Sequence, residues 1–344
     1  MFHLRGITMG KNIVLFLLVF VSCLAVSATS ADQAETINIA VEFNDHAASA
    51  YVARHKGWFR DADLDVRFYN YVTGMALAAA LGRGQIHAAY MCLLPAINAK
   101  ANAGTPIRIV AGTHQYGYGL AVNEAKVKGI KDLEREDVRI GCVQVGSPSD
   151  AFLLRIIELY GLEPSRVLKK VQRMAPPMQI AAIKAGMLDA IILPEHWPAI
   201  AEQAGFKTLL TAEDVWPGMQ GSVLAVMDQL IKTRPDAVRK LVAITFRATR
   251  WIEENPHQAA ELMAAELQVA GENFFPVELA KPVSQLLVTP ETMLRSMERL
   301  KYTNGVELAA VQEQIDFARR HGYIRQPLNA SDMVDLSFLH EAPR

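Results

Sequence analysis

Cysteine is scarce in this sequence, with three residues in 344. One of them, Cys23, lies in an N-terminal segment that has the layout of a signal peptide. The other two, Cys92 and Cys142, are too few to form a disulfide scaffold in a chain of this size. Both lie in apolar, strand-like runs in different halves of the chain. That leaves a disulfide bond between them open, but we expect two buried thiols.

An excess of charge of one sign and the short motifs of catalysis are also missing. The formal net charge is −1, and no long run of one sign occurs, which argues against a nucleic-acid partner. The sequence contains no G-x-S-x-G, H-E-x-x-H, P-loop or G-x-G-x-x-G motif. We therefore expect neither catalysis nor a cofactor.

Only one apolar run is long, residues 13–21 (IVLFLLVFV), and it is too short to span a bilayer comfortably. It follows Arg5 and Lys11 and precedes small and then polar residues, the order typical of a secretory signal peptide over residues 1–31. The segment Val21-Ser22-Cys23 also resembles a lipoprotein box, which would leave a lipid on the cysteine. A buried N-terminal helix is the third alternative. We favour a soluble periplasmic or secreted protein.

Two stretches about a hundred residues apart share one pattern, ALGRGQIHA (80–88) and AIKAGMLDA (182–190). Each fits the end of a helix, a glycine at Gly84 or Gly186, and a buried strand that starts at once. Glycine suits such a stop because the backbone turns there through positive φ. One unit in each half predicts two similar α/β lobes with a cleft between them.

Strands alternate with helices along most of the chain, which indicates mostly parallel, doubly wound sheets. The apolar segments 119–123 and 221–227 have the character of crossings between two lobes. We predict that residues 35–122 plus 223–344 form lobe one and residues 123–222 form lobe two. The paired crossings would act as a two-strand hinge for closure around a ligand.

The segment YVARHKGWFRDADLDVRFY (51–69) resembles the signature A-x-x-x-G-(F/W/Y)-F-x-x-x-(G/D)-L-x-V of a bacterial solute-binding family. That family serves ABC importers of sulfonates, taurine, nitrate and thiamine-type pyrimidines. Further matches follow in the same order: TPIRIVAG (105–112), GIKDLEREDVRIG (129–141), VGSPSDAFLLRIIELYGL (145–162) and DAIILPEHWPA (189–199). The resemblance implies an α/β fold of the type II periplasmic-binding-protein class, a ligand between the lobes, and delivery to an ABC permease and its ATPase.

Ligands of open α/β sheets bind beyond the carboxyl ends of the strands, and this rule selects the loops after the predicted strands. An aromatic residue further along the chain could stack on a planar ligand. The candidate ligand-binding residues are Asn44, Asp45, His46, Tyr90, Cys92, Leu93, His114, Tyr116, Ser147, Ser149, Glu195, His196 and Trp216.

The segment GSPS (146–149) is the candidate with the clearest mechanism. Ser149 fits the N-cap of a helix that starts at Asp150, where free backbone N–H groups attract an anion. The carboxylate of Asp150 would repel such an anion. The neighbouring loop from Tyr90 to Leu93 is apolar, where many anion-binding members have Gly-x-Ser-Pro. Both features favour an organic ligand over a simple anion.

The three candidate histidines, His46, His114 and His196, raise the alternative of a metal site. Their spacing matches no local metal-ligand motif, so we expect no metal. A contact between Glu195 and an amino-bearing ligand agrees better with charge complementarity. The aromatic rings of Tyr116 and Trp216 either stack on a planar ligand or pack in the core.

The leading hypothesis is thus a monomeric extracytoplasmic binding protein that captures a small organic molecule and delivers it to an ABC permease. Two alternatives stay open. One is an enzyme similar to pyrimidine synthases that uses a histidine of the cleft. The other is a sensor-type binding module without transport. The identity of the ligand does not follow from the sequence.

Overall fold

The computed structural model of the protein describes residues 36–274 and 288–341, and these belong to one compact unit. The predicted signal peptide (residues 1–31) and Cys23 lie outside the described residues. Within the described part of the chain, no helix has both the length and the apolar character needed to cross a membrane.

Eleven strands run through the described residues. In chain order they are β1 (Ile37–Glu42), β2 (Val66–Tyr71), β3 (Ala88–Cys92), β4 (Ile107–Tyr116), β5 (Tyr118–Val122), β6 (Ile140–Cys142), β7 (Val171–Arg173), β8 (Ala190–Pro194), β9 (Lys207–Thr211), β10 (Gln220–Met227) and β11 (Leu300–Tyr302). They form a first sheet in the order β11-β4-β10-β3-β1-β2 and a second sheet in the order β7-β6-β8-β5-β9.

Helices connect and cover the strands. We label them α1 (Ala48–His55), α2 (Trp58–Asp61), α3 (Gly74–Gly82), α4 (Leu93–Ala103), α5 (Pro148–Leu159), α6 (Pro164–Leu168), α7 (Pro176–Lys184), α8 (Trp197–Gln203), α9 (Ala212–Val215), α10 (Asp228–Thr233), α11 (Pro235–Glu254), α12 (Pro256–Phe274), α13 (Pro290–Met297), α14 (Leu308–Arg320) and α15 (Ser337–His340). Short 3₁₀ turns occur at Asp45–Ala47, Ile130–Glu134 and Ala330–Asp332.

Each sheet has a parallel part and an antiparallel part. In the first sheet β1 pairs in parallel with β2 and β3, and β10 runs antiparallel between β3 and β4. In the second sheet β6 pairs in parallel with β7 and β8, while β5 runs antiparallel to β8 and β9. The parallel strands β1 and β3 therefore end at one edge of their sheet, and β6 and β8 end at one edge of theirs.

The two repeated stretches of sequence form equivalent units, as predicted. Helix α3 ends just before Gly84, which has φ of +74°, and β3 follows. Helix α7 ends just before Gly186, which has φ of +67°, and β8 follows. Two α/β sheets, each carrying one such unit, confirm the predicted fold class.

Some boundaries differ from the sequence prediction. A proline suggests a helix start at Pro95, but helix α4 begins at Leu93, because proline fits the first turn of a helix and does not have to start it. The segment predicted as the first crossing forms β5 of the second sheet, so the chain passes between the sheets at Gly117. The division into lobes at residues 122 and 223 stays a prediction.

Apolar side chains from both sheets and their covering helices fill the core. It includes alternating residues of the strands, such as Ile37 and Ile39 of β1, and the inward faces of long helices such as α11. Cys92 and Cys142 are both free and both buried, which confirms the expectation of two thiols.

Candidate functional site

The carboxyl ends of β1, β3 and β8 meet beside the link between β4 and β5. The link is Gly117, whose backbone carbonyl accepts hydrogen bonds from the first sheet and from the second. His46 Nε2 donates to it at 2.8 Å, and the backbone N–H of Glu195 donates to it at 2.9 Å. The predicted loops of the two sheets therefore converge at one place.

Glu42, His46 and Cys92 form the first group of this site. The Cys92 thiol lies 3.1 Å from Glu42 Oε2 and 3.3 Å from His46 Nδ1. The backbone N–H of Cys92 also donates to Glu42 Oε1 at 2.8 Å, and Tyr118 of the second sheet donates its hydroxyl to the thiol at 2.9 Å. One carboxylate oxygen, one imidazole nitrogen and one sulfur lie within 4.8 Å of one another, the donor types that a transition metal binds.

The contacts of His46 fix its tautomer. A carbonyl oxygen can only accept, so the hydrogen bond to Gly117 places the ring proton on Nε2 and leaves the lone pair of Nδ1 facing Cys92. Burial and the neighbouring His114 hold the pKa of His46 well below its ordinary value, so the ring is neutral. Gly117 has φ of +93°, and a Cβ there would lie 2.7 Å from His46 Nε2. This position thus requires glycine for both reasons.

Burial also governs the acid groups beside His46. It raises the pKa of Glu42, although the hydrogen bonds from Cys92 oppose the change. Burial and the charge of Glu42 raise the pKa of the Cys92 thiol well above its ordinary value. A thiol held in this state is a weak nucleophile.

Two further histidines are buried and carry unpaired nitrogens. The ring of His114 lies 4.6 Å from that of His46, and its Nε2 has no hydrogen-bond partner. Neither ring nitrogen of His196 has a partner. Burial lowers the pKa of His114 to about 4 and that of His196 to about 3, so both rings are neutral near pH 7. Buried polar atoms without partners are rare, and these face the region where the two sheets meet.

Asp45 and Glu195 form a second group with Ser296 and Arg299. The hydroxyl of Ser296 contacts carboxylate oxygens of both acids, and Arg299 Nη1 lies 3.2 Å from Glu195 Oε1. Arg299 also pairs with Glu202 of α8. Ser296 belongs to α13 and Arg299 follows it, so these contacts join the first sheet's covering helices to the second sheet.

The hydroxyl of Ser296 has one proton, so it cannot donate to two carboxylates at once. The arrangement is satisfied when one of the two acids is protonated. Burial raises the pKa of Asp45 to about 7 and that of Glu195 to about 8, although Ser296 and Arg299 respectively oppose the shifts. Asp45 Oδ1 still lacks a hydrogen-bond partner.

The N-terminus of α5 is neutralised by the chain itself. Ser147, and not Ser149 as predicted, is the N-cap, because Pro148 takes the first helical position. Asp150 Oδ2 accepts from the backbone N–H of Gly146 at 3.0 Å, and its Oδ1 pairs with Arg173 at 2.5 Å. The place where an anionic ligand would bind backbone N–H groups is therefore taken by a carboxylate.

A narrow space lies between the two groups of loops. Among the residues that line it are Leu94, Tyr118, Pro148 and Trp216, which come from both sheets, and it leaves no room for a water-sized sphere. The indole N–H of Trp216 is buried there without a partner, and its ring packs 4.8 Å from that of Phe317. The loops are thus closed against each other around this space, which has no room for a ligand.

The structure brings together six of the thirteen predicted residues at this junction. They are Asn44, Asp45, His46, Cys92, His114 and Glu195. Asn44 caps the 3₁₀ turn by accepting from His46 N at 3.2 Å. His196 adjoins the group through Glu195, Trp216 borders the narrow space, and Ser147 caps α5.

Other predicted residues serve the core. The hydroxyl of Tyr90 bonds to Thr245 of α11 at 2.7 Å, which directs its ring away from the junction. Leu93 is fully buried at the start of α4, and Ser149 is buried in the first turn of α5. Tyr116 is half-buried and packs against the apolar core.

The list of candidate ligand-binding residues omits five residues of the site. Glu42 and Tyr118 lie at a strand end and a strand start, where the strand-end rule could have found them. Gly117 is the single residue between β4 and β5, and it has no side chain that could mark a site. Ser296 and Arg299 come from the C-terminal helical region and carry no local signal of a site.

The fold is shared with solved structures. The ligand-binding component of an ABC-type import system from Staphylococcus aureus, with zinc bound, matches with a TM-score of 0.72 and 19% identity, covering 90% of this chain and 99% of that one. The alkanesulfonate-binding protein SsuA from Xanthomonas axonopodis, bound to MOPS, gives 0.69 and 17% over 87% and 98% of the two chains. The periplasmic nitrate-binding protein NrtA from Synechocystis gives 0.72 and 16% over 89% and 87%. The protein therefore has the periplasmic-binding-protein fold of two α/β lobes.

Two curated proteins and one family also match part of this sequence. The nitrate import ATP-binding protein NrtC of Synechococcus elongatus is 24% identical over 238 residues, which are 64% of this chain and 36% of that protein. The NrtC protein of Synechocystis matches similarly, at 22% over 229 residues, 61% of this chain and 34% of that protein. The chain thus spans about a third of the length of the curated relatives it matches. The NMT1-like family matches residues 30–268, more than half of the sequence, and the chain belongs to that family.

Proposed function

We propose that this protein is the extracytoplasmic solute-binding component of an ABC importer. The observation that carries the proposal is the junction at Gly117, where loops of both sheets meet around buried polar atoms that lack partners. Ligands of open α/β sheets bind at such a place, beyond the carboxyl ends of the strands. Similar structures described as components of import systems support it.

The working cycle is part of the same proposal. The two lobes open, admit one small molecule, close on it, and dock on an ABC permease that an ATPase drives. The protein works as a monomer in the periplasm after removal of residues 1–31. It performs no chemistry on the ligand, in keeping with a Cys92 thiol that burial keeps protonated.

The charges of the site indicate the class of ligand. Three carboxyl groups, those of Glu42, Asp45 and Glu195, line the junction, and the histidines beside them are neutral. The guanidinium of Arg299 is already shared between Glu195 and Glu202. A small anion such as nitrate or a sulfonate, which the names of similar proteins specify, finds three carboxyl groups and no free cation among the described residues of the junction. We infer an organic ligand that is neutral or carries an amino group.

Small-angle X-ray scattering tests the proposed function. We expect the ligand-free protein to be more extended than the closed structure, because the narrow space holds no room for a ligand. Molecules that raise the melting temperature in a screen of small organic compounds should reduce the radius of gyration. If no compound in a broad screen stabilises or compacts the protein, the binding role is wrong.

A reconstituted importer separates transport from sensing. With the permease and ATPase in vesicles, the binding protein should stimulate uptake of its ligand. Binding and compaction without any stimulation of uptake or of ATP hydrolysis would contradict the transport role and leave a binding module.

A further inference from the structure

Three side chains of the first sheet place different metal-ligand atoms at one point. Glu42 is the last residue of β1, His46 lies in the 3₁₀ turn that follows, and Cys92 is the last residue of β3. Because β1 and β3 pair in parallel, their carboxyl ends are neighbours. The three ligand residues therefore belong to one sheet.

The spacing of the three atoms suits a metal ion. In a tetrahedral zinc site, with bonds of about 2.0–2.3 Å, neighbouring ligand atoms lie roughly 3.3–3.6 Å apart. Here the sulfur lies 3.3 Å from His46 Nδ1 and 3.1 Å from Glu42 Oε2. A separation larger by a few tenths of an ångström would admit the ion, a change that side-chain rotation can supply.

The atoms around the group orient it as metal ligands require. The N–H at Nε2 of His46 donates a hydrogen bond to the Gly117 carbonyl, which leaves the lone pair of Nδ1 free to bind a metal ion. A backbone carbonyl in this role is the usual partner of a metal-binding histidine. The backbone N–H of Cys92 holds the second carboxylate oxygen of Glu42 at 2.8 Å. The side chains of His46 and Glu42 are thus each positioned by a backbone contact.

Charge gives an independent reason. Glu42 is 3% exposed, and no ion pair among residues 36–274 and 288–341 involves it. A buried carboxylate without a cation is costly. A divalent ion bound by one carboxylate, one thiolate and one neutral imidazole would leave the group without net charge.

We propose that Glu42, His46 and Cys92 bind one divalent transition-metal ion of the Zn²⁺ class. Three protein ligands leave one tetrahedral position, on the side of the group that Tyr118 covers from the second sheet. The ion would therefore form part of the cleft wall, with one position for water or for a donor atom of the bound molecule. This site shares Glu42 and His46 with the charge argument above but does not use Asp45 or Glu195, and it holds whether or not the protein serves an importer.

Cobalt spectroscopy of the full-length mature chain tests the site. The protein is purified without an affinity tag, stripped with a chelator and titrated with Co²⁺ alone. We expect one equivalent to give a sulfur-to-cobalt charge-transfer band in the near ultraviolet and the strong visible bands of tetrahedral Co²⁺. Zn²⁺ should then displace the colour stoichiometrically.

Variants identify the ligands. Cys92→Ser should abolish the charge-transfer band. Changes to residues that only contact a metal ligand weaken binding roughly tenfold to hundredfold, so His46→Gln and Glu42→Gln should weaken Co²⁺ binding by at least as much. Cys142→Ser is the matched control, since Cys142 is the other buried free thiol and lies in the second sheet. Its spectrum should not change.

Two results would overturn the proposal. One is a folded wild-type protein, judged by its circular dichroism, that binds no Co²⁺ or Zn²⁺. The other is a band that persists in Cys92→Ser or disappears in Cys142→Ser. Neither result bears on ligand-induced compaction, so a failure here is distinguishable from a failure of the proposed function.

Discussion

Two buried carboxyl groups, those of Asp45 and Glu195, both contact the hydroxyl of Ser296, which can donate its proton to only one of them. The closed protein therefore favours a protonated acid at this point. Arg299 partly offsets the burial of Glu195, but Asp45 has no ion pair of its own among the described residues. Folding should therefore change the protonation of Asp45 directly, because burial has the largest effect on its pKa.

Replacing Asp45 with asparagine should flatten the pH dependence of stability. The pKa of Asp45 is raised from 3.8 to about 7 in the folded protein. Its stabilising contribution is thus complete below about pH 4 and is lost as the pH rises through 7. Between about pH 5 and pH 8 the loss is roughly 2 kcal/mol, and Asp45→Asn should not show it. Urea denaturation across this pH range measures the difference.

The exposed Glu213 supplies the control, because Glu213→Gln alters a carboxylate away from the site. It should follow the wild-type profile. If Asp45→Asn shows the same pH profile as the wild type, then Asp45 is ionised over this whole pH range and does not hold a proton.

The strand-end rule explains which site residues the sequence could predict. Asn44, His46 and Cys92 lie just at or beyond the carboxyl ends of β1 and β3, and the rule selected all three. It missed Glu42 because the predicted loop was taken to begin after that residue. Ser296 and Arg299 reach the site only through packing of α13, which no local pattern in the sequence reveals.

Helix α5 shows how an element can have the features of an anion site and yet be satisfied. Asp150 in its first turn takes the free N–H of Gly146, pairs with Arg173 and accepts from the hydroxyl of Tyr323 at 2.5 Å. The sequence analysis predicted that Asp150 is unfavourable for a bound anion. It also predicted the N-cap at Ser149, and this was wrong because proline prefers the first helical position, which Pro148 occupies.

Removal of this charge should destabilise the fold. Asp150→Asn leaves Arg173 without its partner and weakens two hydrogen bonds, so we expect a loss of about 2–3 kcal/mol in the free energy of unfolding. Glu158→Gln on the same helix alters surface contacts with Arg155 and His321, and it should change the free energy of unfolding by less than about 0.5 kcal/mol. Equal losses for the two variants in thermal or urea denaturation would contradict a structural role for Asp150.

The segment from α13 to β11 links the covering helices of the first sheet to α8 of the second. Arg299 carries most of this link through its pairs with Glu195 and Glu202, and its side chain is 8% exposed. A buried ion pair that loses one partner costs about 3–5 kcal/mol. We therefore expect the ion pairs of Arg299 to hold the loops of the two sheets closed against each other.

Substituting Arg299 by glutamine should favour the open form. We expect Arg299→Gln to increase the radius of gyration of the ligand-bound protein, because Glu195 and Glu202 then lose their shared cation. Arg295→Gln is the control, since Arg295 contacts Glu202 from a more exposed position. If scattering shows the same dimensions for wild type and Arg299→Gln, this link does not hold the protein closed.

On the scale of the whole molecule, the sequence predicted two α/β halves from the repeated glycine units and the alternation of strands and helices. The comparisons confirm the fold. The segment predicted as the first crossing, residues 119–123, overlaps β5, and only Gly117 separates β4 of the first sheet from β5 of the second. Periodicity predicts strands well, but it does not predict which sheet a strand joins.

Isothermal titration calorimetry with matched ligands shows most directly whether the protein binds a neutral or amino-bearing organic molecule and not a small anion. The panel compares aminopyrimidines and primary amines with alkanesulfonates of similar size and nitrate, in metal-free buffer and with Zn²⁺. We predict heat of binding for a member of the first set, reduced in Glu195→Gln, and none for the second. Binding of a sulfonate or nitrate, with no binding of the amines and pyrimidines, would contradict it.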